Sequence, residues 1–393
     1  MTIKRYTITF FGTMLIALVS IASFNYWIDP YHVLHNNCIE HLNCKKTQAN
    51  TKIFFSKARQ WRNQQVDAVI LGNSRNEFGL DPKTQNKLPE HTYNLAIRGA
   101  SLRQEALYLV NVLKSKQPQA IIVGFDYFSF RQHPTFVSQW PTVKQPYLPF
   151  SLKGKPVKGY ALDHIKQNVI SLLSLQATMD SIQTIINQNN LNTYLRNDGF
   201  AVARDFMSIA KYEGVEKAFE NDMSTLHQRF ENTDYVLTDK NGNSQEAQAL
   251  AFIVKQAQER NIPIYLFIAP THVGYAQVLK QHGYLKQSYE WKRLVVQTLD
   301  SIGYFANNQL LDFSGLNQYT TEAIPKGVNQ SMQWWYEAGH YTPLLGKMML
   351  EQLLSADSTF ALHPQNVEQR IQKDLQETQV FLQQNVLLKT KPH

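Results

Sequence analysis

The feature that most constrains this chain is an uninterrupted apolar stretch near its N-terminus. Residues 6–27 carry no charged side chain, and about 20 such residues are enough for a helix to cross a hydrocarbon core of about 30 Å. Lys4 and Arg5 precede the stretch, and two aromatic residues close it. Because positive charge favours the cytoplasmic side, the pattern predicts a single-pass anchor over residues 1–28 of the inner (cytoplasmic) membrane, with the N-terminus inside and the bulk of the chain periplasmic or extracellular.

Two other interpretations of this stretch remain open. A cleaved signal peptide is one, because Ser20-Ile21-Ala22 is an acceptable cleavage site. Its apolar region is longer than the roughly 7–15 residues usual for signal peptides, which favours an uncleaved anchor. A buried core helix of a soluble protein is the other.

The remaining composition is that of a water-soluble globular protein. The 393 residues include 39 Lys and Arg against 31 Asp and Glu, a net charge of +8 without a basic block, and the mean hydropathy is −0.35. The charge pattern therefore gives no reason to expect nucleic acid as a partner. With two cysteines the sequence contains no zinc-binding spacing, and we expect neither a metal nor a cofactor.

Cys38 and Cys44 lie shortly after the apolar stretch. In an oxidising compartment they could form a disulfide across a short polar loop. Two free thiols are the alternative.

Beyond a juxtamembrane segment, residues 29–65, short apolar runs alternate with helical patterns. Strands are predicted at residues 66–71, 91–95, 120–125, 262–268 and 309–313, and the main helices between them at 101–115, 246–260, 288–302 and 342–355. This alternation predicts an α/β fold over residues 66–393, a three-layer sandwich with a mostly parallel five-stranded sheet. In such a sheet the functional site forms at the carboxyl ends of the strands.

Residues 131–245 interrupt the alternation between the third and fourth predicted strands. The segment is rich in aromatic residues, Gln and Asn, and helical patterns cover residues 163–188 and 203–231. We expect a mainly helical insertion that covers one side of the site, or else a separate small domain.

Two loops that follow predicted strands contain residue types suited to ester chemistry. Gly72-Asn73-Ser74-Arg75 follows the first strand, where a serine hydroxyl and its amide would be presented at the edge of the sheet. Gly99 follows the second strand and could offer its amide to an oxyanion. Taken singly, these residues are more simply explained as a helix-capping serine and a loop glycine.

Two further motifs are predicted at the same edge. Asp126 follows the third strand and could point into the site or cap a helix. Glu337 and His340 are three residues apart before the last helix, so the carboxylate could hold one imidazole nitrogen while the other accepts a proton from Ser74. A helical Glu-x-x-His can bind metal, but Gly339 and Pro343 predict a loop.

The order and spacing of these motifs resemble the SGNH (GDSL-like) hydrolase superfamily. The closest resemblance is to its membrane-anchored envelope branch, which includes alginate O-acetyltransferase-like and teichoic-acid D-alanine transfer proteins. The matching stretches are VILGNSR, NLAIRGAS and YEAGHYTPLLGKMML. The resemblance implies a flavodoxin-like sheet, Ser74 as nucleophile, His340 as base, Glu337 as the acid that orients it, and the amides of Ser74 and Gly99 in the oxyanion hole.

The sequence departs from that family at two positions. Asp126 stands where the family usually offers an Asn to the oxyanion, and an ionised Asp would repel an oxyanion unless it is protonated, turned away or used otherwise. Glu337 stands where the last block usually has an Asp. A longer acid can still orient an imidazole if the loop adjusts.

The sequence therefore predicts an envelope serine O-acyltransferase or O-acyl esterase that acts on a polysaccharide. Its partners would be an acyl-ester or glycan substrate, the membrane, and a membrane-bound acyl donor. Arg75 and Arg98 flank the site and are expected to bind an anionic glycan, unless they form salt bridges instead. The alternatives are a catalytically inactive SGNH-like module that binds polysaccharide or partner proteins in an export assembly, and a flavodoxin-like phosphate binder.

Overall fold

A computed structural model describes residues 3–84, 87–143, 147–231, 234–355 and 359–385. The outer ends of the predicted 1–28 anchor and of the predicted 66–393 domain, residues 1–2 and 386–393, lie outside the described residues. The helices are α1 (Ile3–Ile28), α2 (Thr47–Thr51), α3 (Ile53–Arg59), α4 (Ser74–Gly79), α5 (Leu102–Ser115), α6 (Tyr127–Phe130), α7 (Tyr160–Leu173), α8 (Leu175–Ile186), α9 (Arg204–Tyr212), α10 (Val215–Glu231), α11 (Gln245–Gln258), α12 (Val273–Gln281), α13 (Leu285–Asp300), α14 (Pro343–Leu353) and α15 (Val367–Gln384).

The strands alternate with these helices along the chain. They are β1 (Ala68–Leu71), β2 (Thr92–Asn94), β3 (Ala120–Phe125), β4 (Tyr194–Leu195), β5 (Ala201–Val202), β6 (Ile264–Ile268), β7 (Leu310–Asp312), β8 (Trp335–Glu337), β9 (His340–Tyr341) and β10 (Ala361–Leu362). Six of them form the main sheet, in the order β10-β7-β6-β3-β1-β2. The neighbours among β7, β6, β3, β1 and β2 pair in parallel, and β10 runs antiparallel to β7.

The prediction of a mostly parallel α/β sheet is confirmed, but the number of strands was wrong. All five predicted strands are present, with bounds within two residues of the prediction. The sixth, β10, has only two residues, Ala361 and Leu362. A run of that length has no measurable alternation or apolar periodicity, so the sequence pattern gave no signal for it.

The strands form because their residues are apolar on both faces. Every residue of β1 and β3 is buried, as expected for central parallel strands covered by helices. The helices that follow in sequence pack in a row: α5 against α11, α11 against α13, and α13 against α15. Because β1 pairs in parallel with both β2 and β3, the carboxyl ends of these three strands lie side by side. The loops that follow them are therefore close together.

The helix α1 has no charge between residues 6 and 27 and is long and apolar enough to span a membrane. Its side chains are largely exposed from residue 3 to residue 21. Only its last turns contact the rest of the protein. Beyond it, Cys38 and Cys44 form a disulfide in the segment that leads to α2.

The segment predicted as an insertion, residues 131–245, contains α7 to α10 and the small β4–β5 hairpin. Each predicted helix, 163–188 and 203–231, is divided into two. Ser174 ends α7 and caps α8 by accepting a hydrogen bond from the amide of Ala177. Gly214, with φ of +93°, lies between α9 and α10, and this left-handed conformation ends the first helix. Residues 144–146 and 232–233 of this segment lie outside the described residues.

Candidate active site

The loop after β1 places Ser74 at the start of α4. Asn73 is the N-cap, and its side-chain oxygen accepts a hydrogen bond from the amide of Arg75 at 3.0 Å. Ser74 is thus the first residue of the helix rather than its cap, so its hydroxyl is not used to cap the helix. Gly72 allows this turn: its φ is +145°, and a Cβ there would lie 2.0 Å from the side-chain nitrogen of Asn76.

The predicted loop with the acid and the histidine is a tight hairpin of β8 and β9. Glu337 ends β8 and His340 begins β9, and the amide of Gly339 donates a hydrogen bond of 3.1 Å to Oε1 of Glu337. Nδ1 of His340 lies 2.5 Å from the same oxygen. Nε2 of His340 lies 2.7 Å from Oγ of Ser74, within the roughly 4 Å that proton transfer between them requires.

The partners of the two ring nitrogens show which of them carries the proton of the neutral His340 side chain. A carboxylate accepts, so Nδ1 of His340 carries the proton that faces Glu337, and Nε2 is left to accept from Ser74. Burial lowers the pKa of His340 to about 4. The imidazole is therefore neutral at pH 7 and can accept a proton from the serine.

A second acid, Asp222 on α10, lies behind Glu337. Tyr275 donates a hydrogen bond of 3.0 Å to Oδ1 of Asp222, and no donor of the described residues faces its buried Oδ2 atom. Burial, and next the nearby charge of Glu337, raises the pKa of Asp222 well above its usual value. This raised pKa favours the protonated form of Asp222, in which the acid can donate a hydrogen bond to Glu337. Burial also raises the pKa of Glu337, and the hydrogen bonds from Asp222, Gly339 and His340 oppose that rise.

Gly99 lies in the loop after β2, which is tied to the serine loop. The amide of Ile97 donates to the carbonyl of Gly72 at 2.9 Å, and Gly99 has a φ of +72°. Gly99 and Ser74 line the same cavity. In the part of the chain that the structure describes, no acceptor bonds the amide of either residue, so both remain available to a ligand in the cavity.

The carboxylate of Asp126, which the sequence suggested as a third oxyanion group, is already bonded to Arg75, Asn73 and Ser129. Its Oδ2 atom lies 2.6 Å from Nη1 of Arg75 and accepts from Asn73 at 2.6 Å, while Oδ1 accepts from the amide of Ser129 at 3.1 Å. The carboxylate therefore serves as a helix cap and as the counterion of a buried arginine. Asp126 thus has a structural role, which was one of the possibilities for an Asp at this position.

Both arginines that were predicted to bind substrate already form ion pairs with acidic side chains. Arg75 is buried and paired with Asp126. Arg98 forms an ion pair of 2.9 Å with the fully buried Glu77, which also accepts from the backbone amide of Arg98 at 2.7 Å. Both side chains line the cavity, but the salt bridges considered as the alternative are what the structure contains.

The cavity in front of Ser74 has a volume of about 730 Å³. It is lined by residues that follow β1, β2 and β3, by His340, by residues of the insertion, and by Glu246 of α11 and Tyr275 of α12. Phe206 of α9 lines it and packs 5.5 Å from the ring of His340. Residues of the insertion thus form part of the cavity wall beside His340. The described residues bring together no group of three or more His, Cys, Asp or Glu side chains that could hold a metal ion.

Sequence reasoning missed Asp222, Tyr275 and the role of Asn73. Asp222 lies inside an ordinary amphipathic helix, where an acid is expected on the solvent side, and nothing local indicates that it is turned inward. Asn73 precedes the serine directly, and its side-chain amide, which bonds Asp126, could have been suspected from that position alone.

Comparison with known proteins adds no assignment. No protein-family model and no curated protein matches this chain.

Proposed function

We propose that this protein is a cell-envelope serine O-acyltransferase or O-acyl esterase that acts on a polysaccharide. The observation that carries the proposal is the unbroken row from Ser74 through His340 to Glu337, with contacts of 2.7 and 2.5 Å. A serine hydroxyl needs such a base to become a nucleophile. We also propose that the chain is a member of the SGNH superfamily and that its sheet and helices form the three-layer, flavodoxin-like sandwich of that superfamily.

In the proposed mechanism Oγ of Ser74 attacks the carbonyl carbon of an ester while Nε2 of His340 takes the hydroxyl proton. Glu337 stabilises the imidazolium that forms, and the amides of Ser74 and Gly99 stabilise the oxyanion. As the tetrahedral intermediate collapses, the alcohol leaves with the proton from His340. A second alcohol or water then attacks the acyl carbon and loses its proton to His340. As this second intermediate collapses, the bond between the acyl carbon and Oγ breaks, His340 returns the proton to Oγ of Ser74, and the new ester or acid leaves.

The acceptor of the acyl group decides between the two activities. A sugar hydroxyl would make the enzyme a transferase, and water would make it an esterase. A membrane-bound acyl donor fits the proposed location: a single-pass inner-membrane protein with its bulk in the periplasm or outside the cell. The apolar α1 and the Cys38–Cys44 disulfide support that location.

Labelling with a serine-reactive fluorophosphonate tests the proposal directly. We expect the wild-type protein to be labelled and to hydrolyse a chromogenic acetyl ester, and Ser74→Ala to lose both properties. Ser129→Ala is the matched control, because Ser129 lines the same cavity without contact to His340. A folded wild-type protein that is neither labelled nor active would favour the alternative, an inactive module that binds polysaccharide or export partners.

A further inference from the structure

Arg131 is a cation in the cavity wall with which no acid of the described residues forms an ion pair, although the charge of Asp126 acts on its pKa. It lines the cavity that contains Ser74. Its guanidinium lies 4.8 Å from the ring of Phe128, 4.7 Å from that of Phe230 and 4.6 Å from that of Tyr235. Its Nε and Nη1 atoms are buried without an acceptor. Three ring faces therefore hold the guanidinium in place without cancelling its charge.

The other buried or half-buried arginines of the cavity already have acid partners. The ion pairs are Arg75–Asp126, Arg98–Glu77 and Arg103–Glu246. Arg229 lines the cavity as well, is exposed, and has no ion pair in the described part of the chain. It is close enough to Arg131 to repel its charge. Two like charges therefore face the same space, and an anion placed there would be attracted by both.

We propose that Arg131 and Arg229 form a subsite for an oxygen anion of the ligand, a carboxylate or a phosphate group. A guanidinium binds such groups through charge-assisted hydrogen bonds. An anion would also offset the cost of a largely buried, unpaired cation. That the anion is part of the acyl donor or acceptor rests on the proposed function. The existence of the anion-binding subsite does not depend on it.

Thermal unfolding of the full chain measures occupancy of this subsite without reference to catalysis. The probes are glucuronate, which carries a carboxylate, and glycerol 3-phosphate, with glucose and equal ionic strength in chloride as the background. Binding to the folded state raises the thermal midpoint. We expect a rise in the wild-type protein with at least one of the two anions, and a smaller rise or none in Arg131→Gln and Arg229→Gln.

Arg293→Gln is the matched control, since Arg293 is half exposed and pairs with Glu368 away from the cavity. It should respond as the wild type does. Arg229 is exposed, so its variant keeps the test valid if Arg131→Gln does not fold. No rise in the wild type, or an equal rise in both subsite variants, would overturn the subsite. Fluorophosphonate labelling of the same samples reports separately on Ser74, so failure of either proposal can be recognised.

A second inference concerns the surface of α7 and α8, which contact the C-terminal end of α1. The last turns of α1 dock at the junction of α7 and α8 through the buried Asn25. Its amide nitrogen donates to the carbonyl of Leu172 at 2.9 Å and to the hydroxyl of Thr178 at 3.0 Å, and its oxygen accepts from Ser181 at 2.8 Å. The junction of α7 and α8 therefore lies at the same level as the C-terminal end of the membrane-spanning helix.

That level corresponds to the membrane interface. Tyr26 and Trp27 directly follow Asn25 and are 46% and 63% exposed, and such aromatic side chains are typical of the headgroup region. Whatever α7 and α8 expose beside Asn25 is therefore held next to lipid.

Both helices expose an apolar face. On α7 and α8 the exposed apolar side chains are Leu162, Ile165, Val169, Ile170, Leu173, Leu175, Met179, Ile182 and Ile186. Apart from the adjacent Val169 and Ile170, they recur every three or four residues, so each helix exposes one apolar face. With 14 and 12 residues and an angle of 58° between them, neither helix alone is long enough to cross a bilayer.

We infer that the exposed apolar face of α7 and α8 lies in the outer interface of the same membrane that α1 spans. Exposed apolar area of this extent is unusual on a soluble surface, and amphipathic helices bury such a face at the headgroup boundary. The catalytic domain would then be held at a fixed orientation on the membrane rather than suspended from a flexible anchor.

A single labelled cysteine in the full chain tests this placement. Both native cysteines are in a disulfide, so Met179→Cys supplies one free thiol for an environment-sensitive fluorophore. Val380→Cys on α15 is the matched control, because Val380 is 42% exposed and Met179 is 49% exposed. The protein is reconstituted in nanodiscs of phosphatidylcholine with a minority of phosphatidylglycerol, with or without nitroxide-labelled lipid.

We expect the label at position 179 to emit at shorter wavelength and to be strongly quenched by nitroxide near the headgroup. The label at position 380 should behave as in water. A water-like label at position 179 would overturn the inference. A blue-shifted label that nitroxide lipids do not quench would overturn it as well, since a second protein copy would then cover the face.

Discussion

The hydroxyl of Tyr341 donates a hydrogen bond of 2.8 Å to Oδ1 of Asn76. Tyr341 follows His340 in sequence, and Asn76 lies on α4 two residues after Ser74. The amide nitrogen of Asn76 in turn bonds the carbonyls of Leu71 and Gly124 at 2.7 and 2.9 Å. One buried bond thus fixes the histidine hairpin to the serine helix and to two strands of the sheet.

Replacing Tyr341 by Phe should loosen this connection. The change leaves the buried Oδ1 of Asn76 without a donor, so we expect the free energy of unfolding to fall by about 1–3 kcal/mol. Turnover of a chromogenic acetyl ester should fall as well, because the distance between Ser74 and His340 is no longer fixed. Tyr336→Phe on the same hairpin is the control, since no described residue bonds the Tyr336 hydroxyl; equal losses in both variants would contradict the role of Tyr341.

The two acids behind His340 should respond differently to amide substitution. Glu337→Gln removes the ionised acceptor of Nδ1 and should lower kcat by roughly 10²–10⁴-fold. Asp222→Asn keeps a hydrogen-bond donor where the protonated acid provides one, so activity should stay within about tenfold of the wild type, a change of about 1.4 kcal/mol in the barrier. A loss in Asp222→Asn as large as that in Glu337→Gln would show that Asp222 is ionised.

The pH dependence of activity should reflect the burial of His340. Its pKa is lowered to about 4 because the charged imidazolium is poorly solvated, and only the neutral ring can accept the serine proton. We expect kcat/KM to persist well below the usual histidine value of about 6.5 and to fall near pH 4. An acid limb centred near 6.5 would contradict this expectation.

The same pKa shift has a consequence for stability. Because the folded-state pKa of His340 lies below the unfolded value, protons bind preferentially to the unfolded chain. The contribution of His340 to stability is therefore fully present above about pH 6.5 and is lost as the pH falls toward 4. Circular dichroism at each pH separates loss of fold from loss of activity.

Asp126→Asn should destabilise the protein without raising turnover. The substitution leaves Arg75 as a buried cation without its partner, and removing one member of a buried pair typically costs about 3–5 kcal/mol. Glu368→Gln, which removes the partner of the exposed Arg293, should cost less than about 1 kcal/mol. Increased turnover in Asp126→Asn would instead mean that the carboxylate acts on the oxyanion.

The proposed topology is checked with reporters at the C-terminus. A phosphatase that is active only after export should be active in the fusion, and a reporter that requires the cytoplasm should be inactive. The opposite pair of results would exclude the periplasmic or extracellular location.

The sequence predicted those parts of the fold that depend on local pattern. The five apolar runs became the parallel strands, and the charge-free stretch at the N-terminus became α1. The candidate residues Ser74, Gly99 and His340 could be proposed because loops that follow parallel strands meet at one edge, whatever their separation in sequence. The two-residue β10 falls below the length at which a pattern can be recognised. The helices of the insertion were predicted, but not the breaks that divide them at Ser174 and Gly214.

The sequence by itself determined which residue types stand at the carboxyl ends of the strands, and only the tertiary structure decided how their charges are paired. Asp126 and Arg75 are 51 positions apart, and Asp222 and Glu337 are 115 apart; neither pairing has a local signature. The same charged side chain is a ligand group when unpaired and a structural counterion when paired. That is why Arg75 and Arg98 were expected to bind substrate, while Arg131, which no acid of the described residues bonds, was overlooked.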